Sequence, residues 1–142
     1  MIKNRMKLSF LSLSENESFA RSVVACFSLK LNPSVAQIND LKTAVSEAVT
    51  NAIVHGYSEN EGEIVLECLI DDQTIHINVF DNGVGIDNVD EALEPFYTTK
   101  PEDERSGMGF TIMKSFMDDV RVESKIGEGT KIYMTKKIIS NA

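Results

Sequence analysis

Residues 64–85 read IVLECLIDDQTIHINVFDNGVG. Ile64, Leu66, Cys68 and Ile70 fall on alternate positions, and so do Ile75, Ile77 and Val79 beyond the polar break Asp71-Asp72-Gln73. Period-two alternation on both sides of a short polar turn predicts a β-hairpin buried on one face. Asp81-Asn82-Gly83-Val84-Gly85 then stops the second strand abruptly. Glycines allow close backbone approach there, and an Asp at the strand end offers an acceptor beside the loop. Taken alone, the stretch reads equally well as a plain strand-to-loop turn. It is not a dinucleotide fingerprint, which needs three glycines and a parallel crossover. Nor is it a Walker P-loop, because no Gly-Lys-Ser/Thr follows.

Working outward, Met6, Leu8 and Phe10 alternate and predict a first strand. Ser14 with Glu17 three residues on has the capping-box pattern and opens a helix whose apolar stripe is Phe19, Val23, Cys26 and Phe27. Asn32-Pro33-Ser34 ends it. A second helix is expected from Ser34 to His55, with Ile38, Leu41, Val45, Val49, Ala52 and Ile53 at helical spacing and Gly56 as its stop. Tyr57 to Gly62 is a loop. Beyond the hairpin, residues 87–106 show no period and carry Pro95, Pro101 and the charge run Lys100–Arg105. A segment of that length without pattern inside one domain is usually functional. Gly107-Met108-Gly109 opens a helix with Ile112, Met113, Phe116 and Met117. Strands follow at Val120–Ile126 and Lys131–Ile138, joined by Gly127-Glu128-Gly129.

The order β-α-α-β-β-loop-α-β-β, with helices apolar on one stripe, implies an α+β fold. It is a two-layer sandwich with a mixed, mostly antiparallel sheet covered by helices on one face. The 142 residues suit one domain, read here as 1–142. Fourteen Lys+Arg against 22 Asp+Glu give a net charge of −8. That excludes nucleic-acid binding by bulk phosphate neutralisation and a polybasic membrane-surface role. Two cysteines are too few for a disulfide scaffold, and both fall on apolar-patterned positions, so buried thiols in a reducing cytoplasm are expected. No signal peptide or membrane span is expected either.

Three signals carry chemistry. Glu47, Asn51 and His55 recur at i, i+4 and i+8, about 200° around the helix from Val45 and Val49. A solvated polar face is the plainer reading of that stripe alone. The sharper one is a base and a hard-metal oxygen ligand presented to one point. Asp81-x-Gly83-x-Gly85 is the second signal. Gly107-x-Gly109 at a helix start is the third, because helix N-terminal N–H groups and their dipole favour an anion. Arg105 stands two residues before it.

In that order, the three resemble the N, G1 and G2 boxes of the GHKL ATP-binding superfamily, whose fold is the Bergerat type. The stretches SEAVTNAIVHGY (46–57), DNGVGI (81–86) and FYTTKPEDERSGMGFTIM (96–113) are similar to a narrower family within it, the anti-sigma F factors of sporulating bacilli. The likeness runs from SENESFAR at 14–21 to GEGTKIY at 127–133. It implies a homodimeric protein that silences a sporulation sigma factor. It also implies a serine kinase acting on a small anti-anti-sigma factor, with ATP/ADP and Mg²⁺ as cofactors. By resemblance Asp81 accepts from the adenine amine, Thr130 helps hold that base, and Gly83 and Gly85 let the chain pass close to it. Asn51 ligates Mg²⁺ and Glu47 is the general base. Gly107, Met108 and Gly109 cradle phosphate, Arg105 and Lys100 neutralise charge at the γ-phosphate, and residues 94–106 form an ATP lid. His55 is assigned to packing or orientation. Glu17 and Arg21 are candidates for partner binding, against the plain alternative of an intrahelical ion pair. The general-stress anti-sigma factors, a histidine-kinase ATP-binding module and a binding module without catalysis are the rival readings.

Overall fold

A computed structural model describes residues 1–57, 60–94 and 109–140. The hairpin forms as the alternation requires, with β2 (Glu63–Asp71) paired to β3 (Thr74–Asp81) across a two-residue turn. Asp72 takes a left-handed φ of 51° in that turn, a conformation Asp tolerates better than most residues. β1 (Asn4–Leu11) lies on the outer edge of β2, with Leu8 opposite Leu66. β5 (Gly129–Lys137) pairs with β3, and β4 (Asp119–Lys125) forms the far edge, so the order is β1-β2-β3-β5-β4.

Every pairing among these strands is antiparallel, so the sheet is not mixed. The reason lies in the last hairpin. β3 and β4 run parallel to one another, as a strand-helix-strand crossover demands, but β5 folds back into the slot between them. β1 and β3 are separated in the same way by β2.

The helices α1 (Glu15–Ser28), α2 (Val35–Asn51) and α4 (Gly109–Phe116) cover one face, with α2 packed against both others. Leu41, Val45 and Val49 of α2 are fully buried over Ile64, Leu66, Ile77 and Ile132 of the sheet. The opposite face is half-open. It carries an edge-to-face pair, Phe80 and Tyr133, with Arg121 stacked 4.6 Å from the Tyr133 ring centre. Within 87–106 one short helix is described, α3 (Val89–Ala92), capped by Asn88, whose side chain accepts from the Glu91 N–H at 3.0 Å.

Several local expectations are corrected. Ser14 makes no side-chain cap, because its backbone is already helical. Glu17 instead accepts a hydrogen bond from the Ser46 hydroxyl of α2. On the same helix Ala20 and Val24 turn into the core while Phe19 stays half-exposed and Cys26 exposed. Phe27 packs partly buried against the same core. Cys68 is the one buried thiol, and burial in the sheet pushes it up to about 12. The reciprocal capping box occurs at α2, between Ser34 and Gln37. α2 stops being α-helical at Asn51 and continues as a π-helical turn from Ala52 to Tyr57.

Candidate functional site

The π turn decides the geometry. A turn with i→i+5 bonds is wider than an α turn and is frequently found at functional sites. Glu47 and Asn51 precede it and share one face of α2, both half-buried. His55 lies within it. The same turn delivers Gly56 and Tyr57 to the end of β3.

There Asp81 is almost fully buried, 5% exposed, as the last residue of β3 and the register partner of Thr130 in β5. Its Oδ1 accepts from the Gly83 N–H at 2.9 Å. Burial raises the Asp81 carboxyl above its ordinary range, while the backbone N–H groups of Gly83 and Thr130 pull it back. The walls are backbone at close approach. A Cβ on Gly56 would stand 2.9 Å from the Asp81 carboxylate, and one on Gly83 would stand 2.0 Å from the Gly56 carbonyl oxygen. That carbonyl accepts from the Val84 N–H at 2.8 Å.

Two hydroxyls brace the loop that follows Asp81. The Tyr57 hydroxyl accepts from the Asn82 N–H at 2.7 Å and donates to the Glu63 carbonyl. Burial raises the Tyr57 phenol above its ordinary range, and the Asn82 N–H opposes that. Ser124 of β4 accepts from the Ile86 N–H at 2.7 Å and lies 2.7 Å from the Thr130 hydroxyl. Gly85 takes a φ of 78°, and the Gly127 N–H donates to the Val84 carbonyl, tying the loop to the β4–β5 turn.

Thus Asp81, Gly83, Gly85 and Thr130 come together at one end of the sheet, and the helix bearing Glu47 and Asn51 leads into that end through the π turn. Gly109 begins α4, which packs on α2. Lys100, Arg105, Gly107 and Met108, with all of the expected lid beyond Glu94, lie outside the described residues. Glu17 and Arg21 are on α1, paired at 3.6 Å with i,i+4 spacing, and Glu17 also faces Ser46 beside Glu47. Among the described residues no three His, Cys, Asp or Glu side chains gather to hold a metal. A carboxamide oxygen such as that of Asn51 suits Mg²⁺, which takes few protein ligands and completes its shell with phosphate and water.

Sequence reasoning missed Gly56, Tyr57, Ser124 and Gly129. Gly56 and Tyr57 close the stretch at 46–57 without being singled out for the site, and the Gly-Glu-Gly-Thr run at 127–130 reads as a turn until Gly129 is seen with a φ of 85°. A Cβ there would lie 2.0 Å from the Asp81 carbonyl.

Residues 11–136 match the histidine kinase-like ATPase domain. The chain belongs to that family. It is 57% identical over 138 residues to an anti-sigma F factor of Clostridium acetobutylicum, covering 96% of each chain. It is 54% identical to the anti-sigma F factor of Geobacillus thermodenitrificans, covering 96% of this chain and 94% of the other. Within the family it therefore groups with the anti-sigma F factors. The fold is shared with the RsbU and RsbW domains of Rv1364c from Mycobacterium tuberculosis, at a TM-score of 0.67 and 18% identity. That match covers 96% of this chain and 32% of the other. It is shared too with the catalytic domain of histidine kinase ThkA, at 0.58 and 17% identity, covering 94% and 97%. Among the described residues no helix is long and apolar enough to cross a membrane.

Proposed function

We propose that the chain binds ATP at this site, holds a sporulation sigma factor inactive, and transfers the γ-phosphate to a serine of an anti-anti-sigma factor. The observation that carries the reading is the buried Asp81–Thr130 pair, walled by backbone at Gly56 and Gly83. In this reading the Asp81 carboxylate accepts from the exocyclic amine of the adenine base, with Thr130 beside it. Gly83 and Gly85 keep the chain low around the base.

Glu47 and Asn51 divide the chemistry between them. Asn51 would hold Mg²⁺, which would supply charge neutralisation at the phosphates. Glu47 takes the proton as the partner's serine oxygen bonds to the γ-phosphorus; the bond to the β,γ-bridging oxygen breaks and ADP leaves. Gly107, Met108 and Gly109 offer backbone N–H groups to the phosphates, and Arg105 with Lys100 neutralises charge on the moving group. Residues 94–106 act as the lid, and its grip on the γ-phosphate separates the ATP state, which holds sigma, from the ADP state, which favours the unphosphorylated antagonist. Arg21, with Glu17, presents α1 to both partners. A homodimer belongs to the same reading, and the half-open sheet face with Phe80 and Tyr133 supports it. The protein acts in the cytoplasm, with no direct nucleic-acid contact.

The test is incubation with ATP, Mg²⁺ and an anti-anti-sigma protein, followed by intact mass on both chains. One phosphoryl group gained by the partner and none by this chain is expected. Hydrolysis of ATP with the partner unmodified refutes the kinase assignment.

A further inference from the structure

Ser124 has no assigned role, yet its hydroxyl sits at a junction of three contacts. Its Oγ accepts from the Ile86 N–H at 2.7 Å, donates to the Gly129 carbonyl at 2.9 Å, and lies 2.7 Å from Thr130 Oγ1. A hydroxyl has one proton and two lone pairs. The Gly129 carbonyl only accepts and the Ile86 N–H only donates. With the Ser124 proton given to the Gly129 carbonyl, the Thr130 proton points to Ser124. Thr130 is left with lone pairs alone for anything entering the site. The Thr130 backbone N–H is meanwhile turned to the Asp81 carboxylate.

We propose that Ser124 is a positioning residue for purine selection. By taking the Thr130 proton it makes that hydroxyl a pure acceptor, so the site favours a purine with an amine at position 6 over one with a carbonyl. The inference rests on the base lying against Asp81 and Thr130. Without Ser124 the Thr130 hydroxyl is free to turn its proton to the ligand, so a carbonyl oxygen is refused by the Asp81 carboxylate alone and no longer by Thr130 as well. The Ile86 N–H loses its acceptor at the same time, which loosens the loop after Asp81.

The experiment compares dissociation constants for ATP and inosine triphosphate, which differ in the group at position 6. Wild type should prefer ATP, and Ser124→Ala should lower that ATP-over-ITP ratio by about tenfold, the size of one net hydrogen bond. Ser124→Cys should lower it in the same direction, and Ser124→Thr, which keeps the hydroxyl, should retain it. Because Ser124 acts through Thr130, Ser124→Ala added to Thr130→Val should lower the ratio no further than Thr130→Val alone. A wild-type ratio in Ser124→Ala or Ser124→Cys, or additive losses in the double variant, overturns the inference. Asp81→Asn and Thr130→Val separate it from the site reading beneath it. If both keep wild-type ATP affinity, the base does not lie here and the two fall together. If both lose ATP while Ser124→Ala keeps its ratio, only the role of Ser124 falls.

Discussion

A methyl group placed on Gly56 would stand 2.9 Å from the carboxylate of Asp81, closer than Cβ atoms approach other heavy atoms in folded proteins. The end of the π turn and the end of β3 are thus one wall, and a side chain added to the first is felt by the second.

Gly56→Ala should push the Asp81 side chain, which the Gly83 N–H holds in place at 2.9 Å. ATP affinity is expected to fall about tenfold or more, on the scale of one disturbed hydrogen bond to a charged group, while the protein still folds cooperatively. Gly83→Ala meets the Gly56 carbonyl at 2.0 Å, where backbone must move, so it should lower the unfolding midpoint as well. Calorimetry of ATP binding alongside thermal unfolding checks the pair. Equal damage to folding by both substitutions contradicts it.

Tyr57→Phe leaves the Asn82 N–H and the Glu63 carbonyl without the hydroxyl that joins them. A part-buried hydrogen bond of this kind contributes about 0.5–1.5 kcal/mol net. Urea unfolding should show that loss, and ATP binding should weaken because Asn82 adjoins Asp81. An unchanged midpoint means that water replaces the hydroxyl.

Asp81 also sets a pH dependence. Its folded value is raised above the ordinary 3.8, chiefly by burial, so the charged carboxylate disfavours the folded state. That penalty is fully present above the folded value and disappears as pH falls through it towards 3.8. Asp81→Asn removes the charge and keeps the shape. The variant should therefore unfold at a higher temperature than wild type at neutral pH, and the gap should close on acidification to about pH 4. Its ATP affinity should be lost throughout. A gap that widens in acid reverses the sign of the argument.

Glu47 and Asn51 should separate kinetically. Glu47→Gln keeps shape but cannot take the serine proton, so phosphoryl transfer should fall by ~10²–10⁴-fold with ATP binding retained. Asn51→Ala should weaken ATP binding in Mg²⁺ and leave binding in excess chelator nearly unchanged. Single-turnover transfer and equilibrium binding, measured on both variants, distinguish the two roles. Loss of ATP by Glu47→Gln makes Glu47 structural.

Much of this was legible in the chain itself. Alternation at Ile64–Ile70 and Ile75–Val79 specified two strands and their buried face, because one face of a pleated strand carries every second residue. Val45 and Val49 marked the inward side of α2 and so placed Glu47 and Asn51 away from the core. Asp81-x-Gly83-x-Gly85 marked the end of β3 as a place of close backbone approach, which a plain strand-to-loop turn explains equally well. The rotation of α1 was not legible. Phe19, Val23 and Cys26 form as good a stripe as Ala20 and Val24, and which of them is buried depends on how α1 packs against α2, an element the periodicity of α1 does not see.

What the amino-acid order determined by itself is therefore local: which segments alternate, which turn at glycine, and which polar side chains share a helix face. The tertiary structure decided what those segments meet. β5 entering between β3 and β4 made the sheet wholly antiparallel and brought Thr130 beside Asp81. The π turn carried Gly56 and Tyr57 to the same point, and β4 supplied Ser124. Neither periodicity nor spacing encodes such meetings, because hydrogen bonds between residues 38 or 25 positions apart arise only when separate elements pack.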